Sequence, residues 1–135
     1  MRRVELAAAL NLALLATHQV DAAFWHEWDV FGVPGGIHFF LMFNVIAVVA
    51  LAFGLVTIAA QRRGAALAAR LSAGTGLLTV AIHAVFLVLD RVAFWDVLSI
   101  GILAATGLNA GWLIWAAEQG EVSLVRRSVR RSSGS

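Results

Sequence analysis

The sequence predicts an all-α fold: a polytopic membrane protein built as an antiparallel four-transmembrane-helix bundle with both termini in the cytoplasm. Hydrophobic residues make up 61% of the 135 residues, and the mean hydropathy is +0.85. Soluble domains are close to half apolar, so this composition belongs to the bilayer. The length allows one compact unit and is too short for a second domain.

Four long apolar segments predict the number of helices. Each reaches the ~20 residues needed to cross about 30 Å of hydrocarbon. The predicted helices cover residues 6–23, 34–60, 71–89 and 94–117, within a transmembrane domain of residues 1–118. The loops between them are short, so consecutive helices should pack antiparallel. Residues 119–135 are predicted to be a basic cytoplasmic tail that touches anionic lipid, ending in what looks like a cloning remnant.

The distribution of arginine predicts the orientation. Only Arg91 falls on one side of the predicted bundle; the other nine of the ten arginines fall at the N-terminus, in the second loop or at the C-terminus. The positive-inside rule therefore places both termini in the cytoplasm of a bacterial inner membrane. The basic pI of about 11.0 reflects this orientation and not nucleic-acid binding.

Missing residue types exclude several kinds of chemistry. The chain has no cysteine, which excludes disulfides and thiolate metal sites. It has no lysine, which excludes a retinal Schiff base. It also has no tyrosine, so no phenol can act as an acid or carry a radical.

Three histidines on different predicted helices indicate a polar site in the outer leaflet. His18, His38 and His83 lie about 9, 6 and 9 Å below the outer ends of their helices. Intramembrane ionisable groups nearly always face the bundle interior or a water-filled cavity. We therefore expect a pocket lined by these histidines, and its further members are expected to be Asp21 beside His18 and, at the mouth, His26 and Glu27.

Three uses of this pocket are compatible with its residue types. In the first, His18, His38 and His83 bind a transition metal such as Zn, Cu or Fe. Asp21, Glu27 and His26 are then further ligands or orienting partners. In the second, two of the histidines clamp a haem b between helices. In the third, no cofactor is bound and the pocket transfers protons or binds a ligand. Hydrogen-bonded packing histidines and solvated loop residues are the structural alternative to all three.

Small and amide side chains within the helices are predicted to serve packing. Asn11, Asn44 and Asn109 lie near the middle of the membrane and are expected to hydrogen-bond between helices. Gly74 and Gly76 thin the third helix, either to let helices approach closely or to make room for a flat cofactor.

Parts of the chain resemble known families. The segments His18-x-x-Asp21, Trp25-His26-Glu27-Trp28 and Pro34-Gly35-Gly36 resemble a family of small, uncharacterised bacterial four-helix inner-membrane proteins. This resemblance is best over the first two helices, and it implies an architecture but no activity. The third helix, with His83-Ala84 and Asp90, is similar to membrane-anchor subunits of succinate dehydrogenase. That similarity implies a haem-binding histidine with an acid near a quinone site.

These observations predict a metal or haem centre that supports redox or metal-handling chemistry, with enzymatic activity and catalytic residues left open. The alternative is a lipid- or hydrophobic-ligand-binding module, or an accessory subunit of a membrane complex, without a cofactor. Membrane lipids are the expected partners, together with a homo-oligomer or a larger complex, and nucleic acid is not expected. A channel is the least favoured class, because the inner half of the predicted bundle is almost wholly apolar.

Overall fold

The computed structural model of the chain describes residues 2–89 and 96–132. It confirms the all-α prediction. Its helices are α1 (Arg3–Phe24), α2 (Glu27–Val30), α3 (Gly36–Ala59), α4 (Ala65–Val88) and α5 (Val97–Ser132).

Among the described residues, three helices are long and apolar enough to cross a membrane: α3, α4 and residues Val97–Gly120 of α5. The sequence predicted four such spans. Helix α1 is long but is not one of the three, because polar side chains interrupt its apolar surface; these are Asn11, His18, Gln19 and Asp21. Membrane association is therefore supported by three helices, and the fourth span and the orientation stay predictions.

The helix boundaries differ from the predicted ones where glycine controls the backbone. Gly35 and Gly64 adopt left-handed conformations with φ of 84° and 93°, and they directly precede α3 and α4. Glycine takes this conformation without steric cost. Helix α3 therefore starts at Gly36 and not at Pro34, and α4 starts six residues before the predicted position. Helix α5 continues to Ser132 through the predicted tail, and its predicted start at 94 lies outside the described residues.

The four long helices pack as an up-and-down bundle. Helix α1 contacts α3, α4 and α5, and α4 contacts α3 and α5, so α3 and α5 occupy opposite corners. Arg2, at the start of α1, donates to the carbonyl of Ile58 near the end of α3 at 2.8 Å. Asn109 of α5 donates to the carbonyl of Ala7 at 3.0 Å. Ser99, near the start of α5, donates to Asp21 near the end of α1. Helix α1 thus runs antiparallel to α3 and to α5.

Two of the three predicted interhelical asparagine contacts are confirmed. Asn11 is fully buried, and its Nδ2 donates to the Ser72 carbonyl at 2.7 Å and to the Ser72 Oγ at 3.1 Å. Asn109 makes the bond to Ala7 described above. The prediction is wrong for Asn44, whose buried amide finds no partner among the described residues.

The core between the helices is made of small residues. Its buried members are mostly alanines, with Ile58 and Leu113 as the largest side chains. Lipid tails are as apolar as leucine, so helices in a bilayer associate through close packing and not through the hydrophobic effect. This core is suited to that kind of association.

Gly76 is the tightest of these packing positions. A Cβ atom there would lie 2.9 Å from the Asn11 Oδ1 and 3.2 Å from the Ala110 Cβ, on two different helices. We expect Gly76→Ala to lower the free energy of unfolding by about 1–3 kcal/mol, because both neighbours must shift. Circular dichroism during denaturation of the purified protein measures the change.

Gly74 provides the matched control for this substitution. It lies two residues away on the same helix, and a Cβ there would meet nothing within 4 Å. Gly74→Ala should be neutral or stabilise the protein by up to about 1 kcal/mol, because alanine is the better helix former. Equal losses for the two variants would contradict the assignment of Gly76 as a packing position.

Candidate metal centre

Three ionisable side chains meet at one end of the bundle. His18 of α1, Glu27 of α2 and His83 of α4 each place one potential ligand atom within 4.8 Å of the other two. All three side chains are buried, with exposed fractions of 3%, 3% and 6%. We call this set the His–Glu–His group. Buried charged or polar side chains need partners, so their assembly at one point calls for an explanation.

Helix α2 carries Glu27 into the bundle. Helix α1 ends at Phe24, and His26 then adopts a left-handed conformation with φ of 51°. This conformation costs a non-glycine residue roughly 1–2 kcal/mol, and it turns the chain sharply. Trp28 is 7% exposed and packs against Phe40 of α3, with ring centroids 5.1 Å apart. The turn and this anchor together fold α2 back over the bundle, so that Glu27 points inward.

The protonation of His83 can be read from its hydrogen bonds. Its Nδ1 lies 2.8 Å from the carbonyl oxygen of Thr79, one helical turn earlier. A carbonyl only accepts, so Nδ1 is the atom that carries a proton and donates. The other nitrogen, Nε2, lies 3.2 Å from both carboxylate oxygens of Glu27.

The contact between His83 and Glu27 therefore needs either a shared proton or a metal ion. With Nδ1 protonated, the Nε2 of a neutral imidazole has a lone pair, and an ionised carboxylate also only accepts. Two acceptors that face each other are stabilised only when a proton or a metal ion lies between them. Metal-binding histidines very often donate their other ring N–H to a backbone carbonyl, which is the arrangement that Thr79 provides here.

His18 is the third member of the group. Its ring packs edge-on against His83, with centroids 4.7 Å apart and an interplanar angle of 78°. Its buried Nδ1 has no hydrogen-bond partner within the described residues. Most buried polar atoms in proteins have at least one partner, so an unpartnered nitrogen on a ring that contacts His83 is unusual.

The donor set suits a transition metal. Two imidazole nitrogens and one carboxylate oxygen match catalytic zinc sites, in which a fourth position stays open. Bonds of about 2.0–2.2 Å place tetrahedral ligand atoms about 3.4 Å apart. The spacing between His83 and Glu27 is already 3.2 Å, whereas the longest spacing in the group, at most 4.8 Å, would have to shorten by up to about 1.4 Å.

A haem between His18 and His83 does not fit this arrangement. The two rings are in direct edge contact, which leaves no gap for a porphyrin between them. The Nε2 of His83 also faces Glu27 and not an open plane. Haem b therefore stays an untested prediction that this geometry does not favour.

The other predicted site residues lie outside the His–Glu–His group. Asp21 accepts a hydrogen bond from the Ser99 Oγ of α5 at 3.0 Å. His26 is exposed and rests edge-on against Trp28, with centroids 5.1 Å apart. His38 is exposed on α3. Depth along a helix axis does not determine which way a side chain points, which is why His38 shares the level of the group but is not a member.

Two contributors to the site could not be recognised from the sequence. Thr79 acts through its backbone carbonyl, which every residue type has. Phe31 follows α2, and its ring lies 5.4 Å from that of His83 and 4.3 Å from that of Phe86. It shields one side of His83. The only signal in the sequence was the spacing of four between Thr79 and His83, which shows a shared helix face and nothing more.

Comparison with known sequences adds a family but no activity. A family model described as a family of unknown function, DUF6713, matches residues 4–119, a stretch that includes all three members of the His–Glu–His group. No curated protein and no solved structure matches the chain. The match agrees with the predicted resemblance to an uncharacterised family, and it does not extend to a bacterial source or to a number of membrane spans.

Proposed function

Because the chain belongs to the DUF6713 family of unknown function, we propose its function from the site itself. The protein is a small integral membrane protein that binds a transition metal ion through His18, Glu27 and His83, for redox or metal-handling chemistry. The observation that carries this proposal is the buried cluster itself, in which His18, Glu27 and His83 each place one potential ligand atom within 4.8 Å of the other two.

Each residue of the group has a defined part in this proposal. Glu27 supplies the negative charge that compensates the ion in a buried site. Thr79 holds the ring of His83 so that Nε2 faces the ion. His18 contributes the second nitrogen. A bound Zn, Cu or Fe ion would offer Lewis-acid or redox chemistry at its open position.

The membrane placement is part of the same proposal. We place the chain in a bacterial inner membrane with four spans and both termini cytoplasmic. The arginine distribution supports this orientation. The packing of α1 against the three apolar helices supports its inclusion as a span, since its polar residues Asn11 and His18 are buried against the other helices.

Metal analysis of the purified protein tests the proposal. The full chain in detergent, titrated with Zn²⁺ or Co²⁺, should bind about one ion per chain, and no haem absorption band is expected. His18→Ala should weaken binding by about 100-fold or more, because it removes a ligand. Binding should also weaken on acidification, because protons compete for the ligand atoms.

His38 is the matched control in this experiment. It is a histidine at a similar predicted depth, but its side chain is exposed on α3. His38→Ala should leave the affinity for Zn²⁺ unchanged within a factor of about three. Absence of stoichiometric metal in the wild-type protein, or equal losses for the two variants, would refute the proposed function.

A further inference from the structure

A cleft separates one half of α3 from the rest of the bundle. It lies between α1, α3 and α4, and the His–Glu–His group forms part of its wall at one end. Within α3, which is described along its whole length, only Leu51 and Ile58 are buried as whole residues. Both lie beyond residues 36–50, which we call the N-terminal half of α3. This half therefore does not pack tightly against the neighbouring helices.

The exposed side chains of the N-terminal half show the same loose packing. Leu41, Met42 and Phe43 are consecutive, and each is more than half exposed. Successive residues of a helix are about 100° apart, so these three side chains expose an arc of about 200°. Towards the other end of α3, Gly54 lies against α4, where an added Cβ would be 3.9 Å from the Ala68 Cβ. Helix α3 is thus anchored to α4 at one end and separated from it at the other.

Helix α2 connects the N-terminal half of α3 to the His–Glu–His group. Its first residue, Glu27, supplies the carboxylate of the group. Its second residue, Trp28, packs against Phe40 of α3, with ring centroids 5.1 Å apart. Helix α2 lies beside α1 and α3, and Glu27 reaches His83 of α4. Two adjacent residues therefore join the group to α3.

Left-handed residues flank α2 on both sides. His26 precedes it with φ of 51°, and Gly32 and Gly35 follow it with φ of 62° and 84°. A Cβ atom at Gly32 would meet nothing within 4 Å, so the backbone there lies in open space. Lids move about a few loop residues that absorb the change in φ and ψ, and these are often small. The two ends of α2 have this character.

We propose that α2 is a lid that a bound metal ion locks, so that ion binding draws the N-terminal half of α3 toward the bundle and narrows the cleft. This inference rests on the proposed function. Ion binding shortens the longest spacing in the His–Glu–His group and so pulls on Glu27. Trp28 and Phe40 carry the movement to α3. Without an ion, a shared proton between Glu27 and His83 replaces three metal–ligand bonds, and α2 is held less firmly.

Distances between spin labels test the proposal, and the absence of native cysteine makes the labelling specific. The full-length protein with Met42→Cys and Leu98→Cys, in lipid nanodiscs, is measured by pulsed electron paramagnetic resonance with and without Zn²⁺. Both positions are exposed, on helices at opposite corners of the bundle. Zn²⁺ should shorten the mean distance by about 3 Å, which is a tilt of about 13° over the ~13.5 Å from Leu51 to Met42.

A second pair of labels, at the other end of the same two helices, is the matched control. Val56→Cys and Gly111→Cys place labels at exposed positions of α3 and α5. A Cβ at Gly111 would meet nothing within 4 Å, so the label fits there. Because this end of α3 is anchored, Zn²⁺ should leave the distance between these labels unchanged.

Phe40→Ala tests the connection between α2 and α3. It removes the ring against which Trp28 packs and keeps all three ligands of the His–Glu–His group. The variant should still bind one Zn²⁺ per chain, but Zn²⁺ should no longer shorten the distance between the labels at positions 42 and 98. Phe43→Ala is the matched control, because Phe43 lies on the same half of α3 and is 55% exposed. It should keep the full response, with helical content measured by circular dichroism as the check on folding.

The outcomes separate this inference from the proposed function. If Zn²⁺ binds and the distance between the labels at positions 42 and 98 stays the same, or both label pairs change equally, the lid inference alone is overturned. A retained shortening in Phe40→Ala also overturns it. If elemental analysis of the same samples shows no bound Zn²⁺, the proposed function has failed, and metal locking of the lid fails with it.

Discussion

Replacing Glu27 with Gln is expected to weaken Zn²⁺ binding by about 100-fold or more while the helix bundle stays folded. Glu27 is the only carboxylate in the His–Glu–His group and the only charge there that can neutralise a cation. Replacing a residue that only orients a metal ligand typically lowers the metal affinity about 10- to 100-fold. Replacing a ligand itself should lower the affinity at least as much. Gln keeps the size of the side chain, and its amide can donate to the Nε2 of His83, so the contact survives without metal.

Metal titration of the purified variants measures this effect. Glu118→Gln is the matched control, because Glu118 is an exposed carboxylate on α5 far along the chain from the site. It should leave the affinity for Zn²⁺ unchanged. If Glu27→Gln also bound Zn²⁺ with the affinity of the wild-type protein, then the contact between Glu27 and His83 would be a hydrogen bond through a shared proton and not a metal site.

Replacing Trp28 with Ala is expected to have the largest effect on stability. Trp28 is 7% exposed, and its ring packs against Phe40 and lies close to Gly36 at the start of α3. Removing a buried tryptophan typically costs 3–5 kcal/mol, and we expect about 3 kcal/mol here. Trp28 also anchors α2 next to Glu27, so the loss should release Glu27 from the site and weaken Zn²⁺ binding about tenfold or more.

Unfolding followed by circular dichroism and Zn²⁺ titration under the same conditions measure both effects. Trp25→Ala is the control from the same segment, because Trp25 is only half-buried and stacks edge-on against the exposed Phe24. It should change both quantities much less. A Trp28→Ala protein that was destabilised but bound Zn²⁺ normally would show that α2 does not need this anchor to hold Glu27 in place.

Much of the architecture could be predicted from residue types alone. Long apolar segments predicted helices that correspond to α3, α4 and the first part of α5, because a bilayer demands internally bonded backbone over a set length. Counting residues along the predicted first and third helices also predicted that His18 and His83 lie at one level, and the structure places their rings in contact.

Counting residues along the helices could not show that Glu27 belongs to the His–Glu–His group or that His38 does not. Residue Glu27 looks like part of a solvated loop until the left-handed turn at His26 and the packing of Trp28 fold α2 inward. His38 looked equivalent to His18 because counting along an axis ignores rotation about it. The structure leaves His38 exposed and gives Asp21 a separate partner in Ser99.

The sequence by itself determined the helical class, the apolar spans and the level at which the polar groups gather, because these depend on composition and on a fixed rise per residue. Only the tertiary structure decided which polar side chains meet, that Asn44 finds no hydrogen-bond partner within the described part of the chain, and that a cleft runs from the His–Glu–His group between α3 and α4. The physical reason is that these features depend on helix rotation and on side-chain packing between segments far apart in the chain, and a local pattern contains neither.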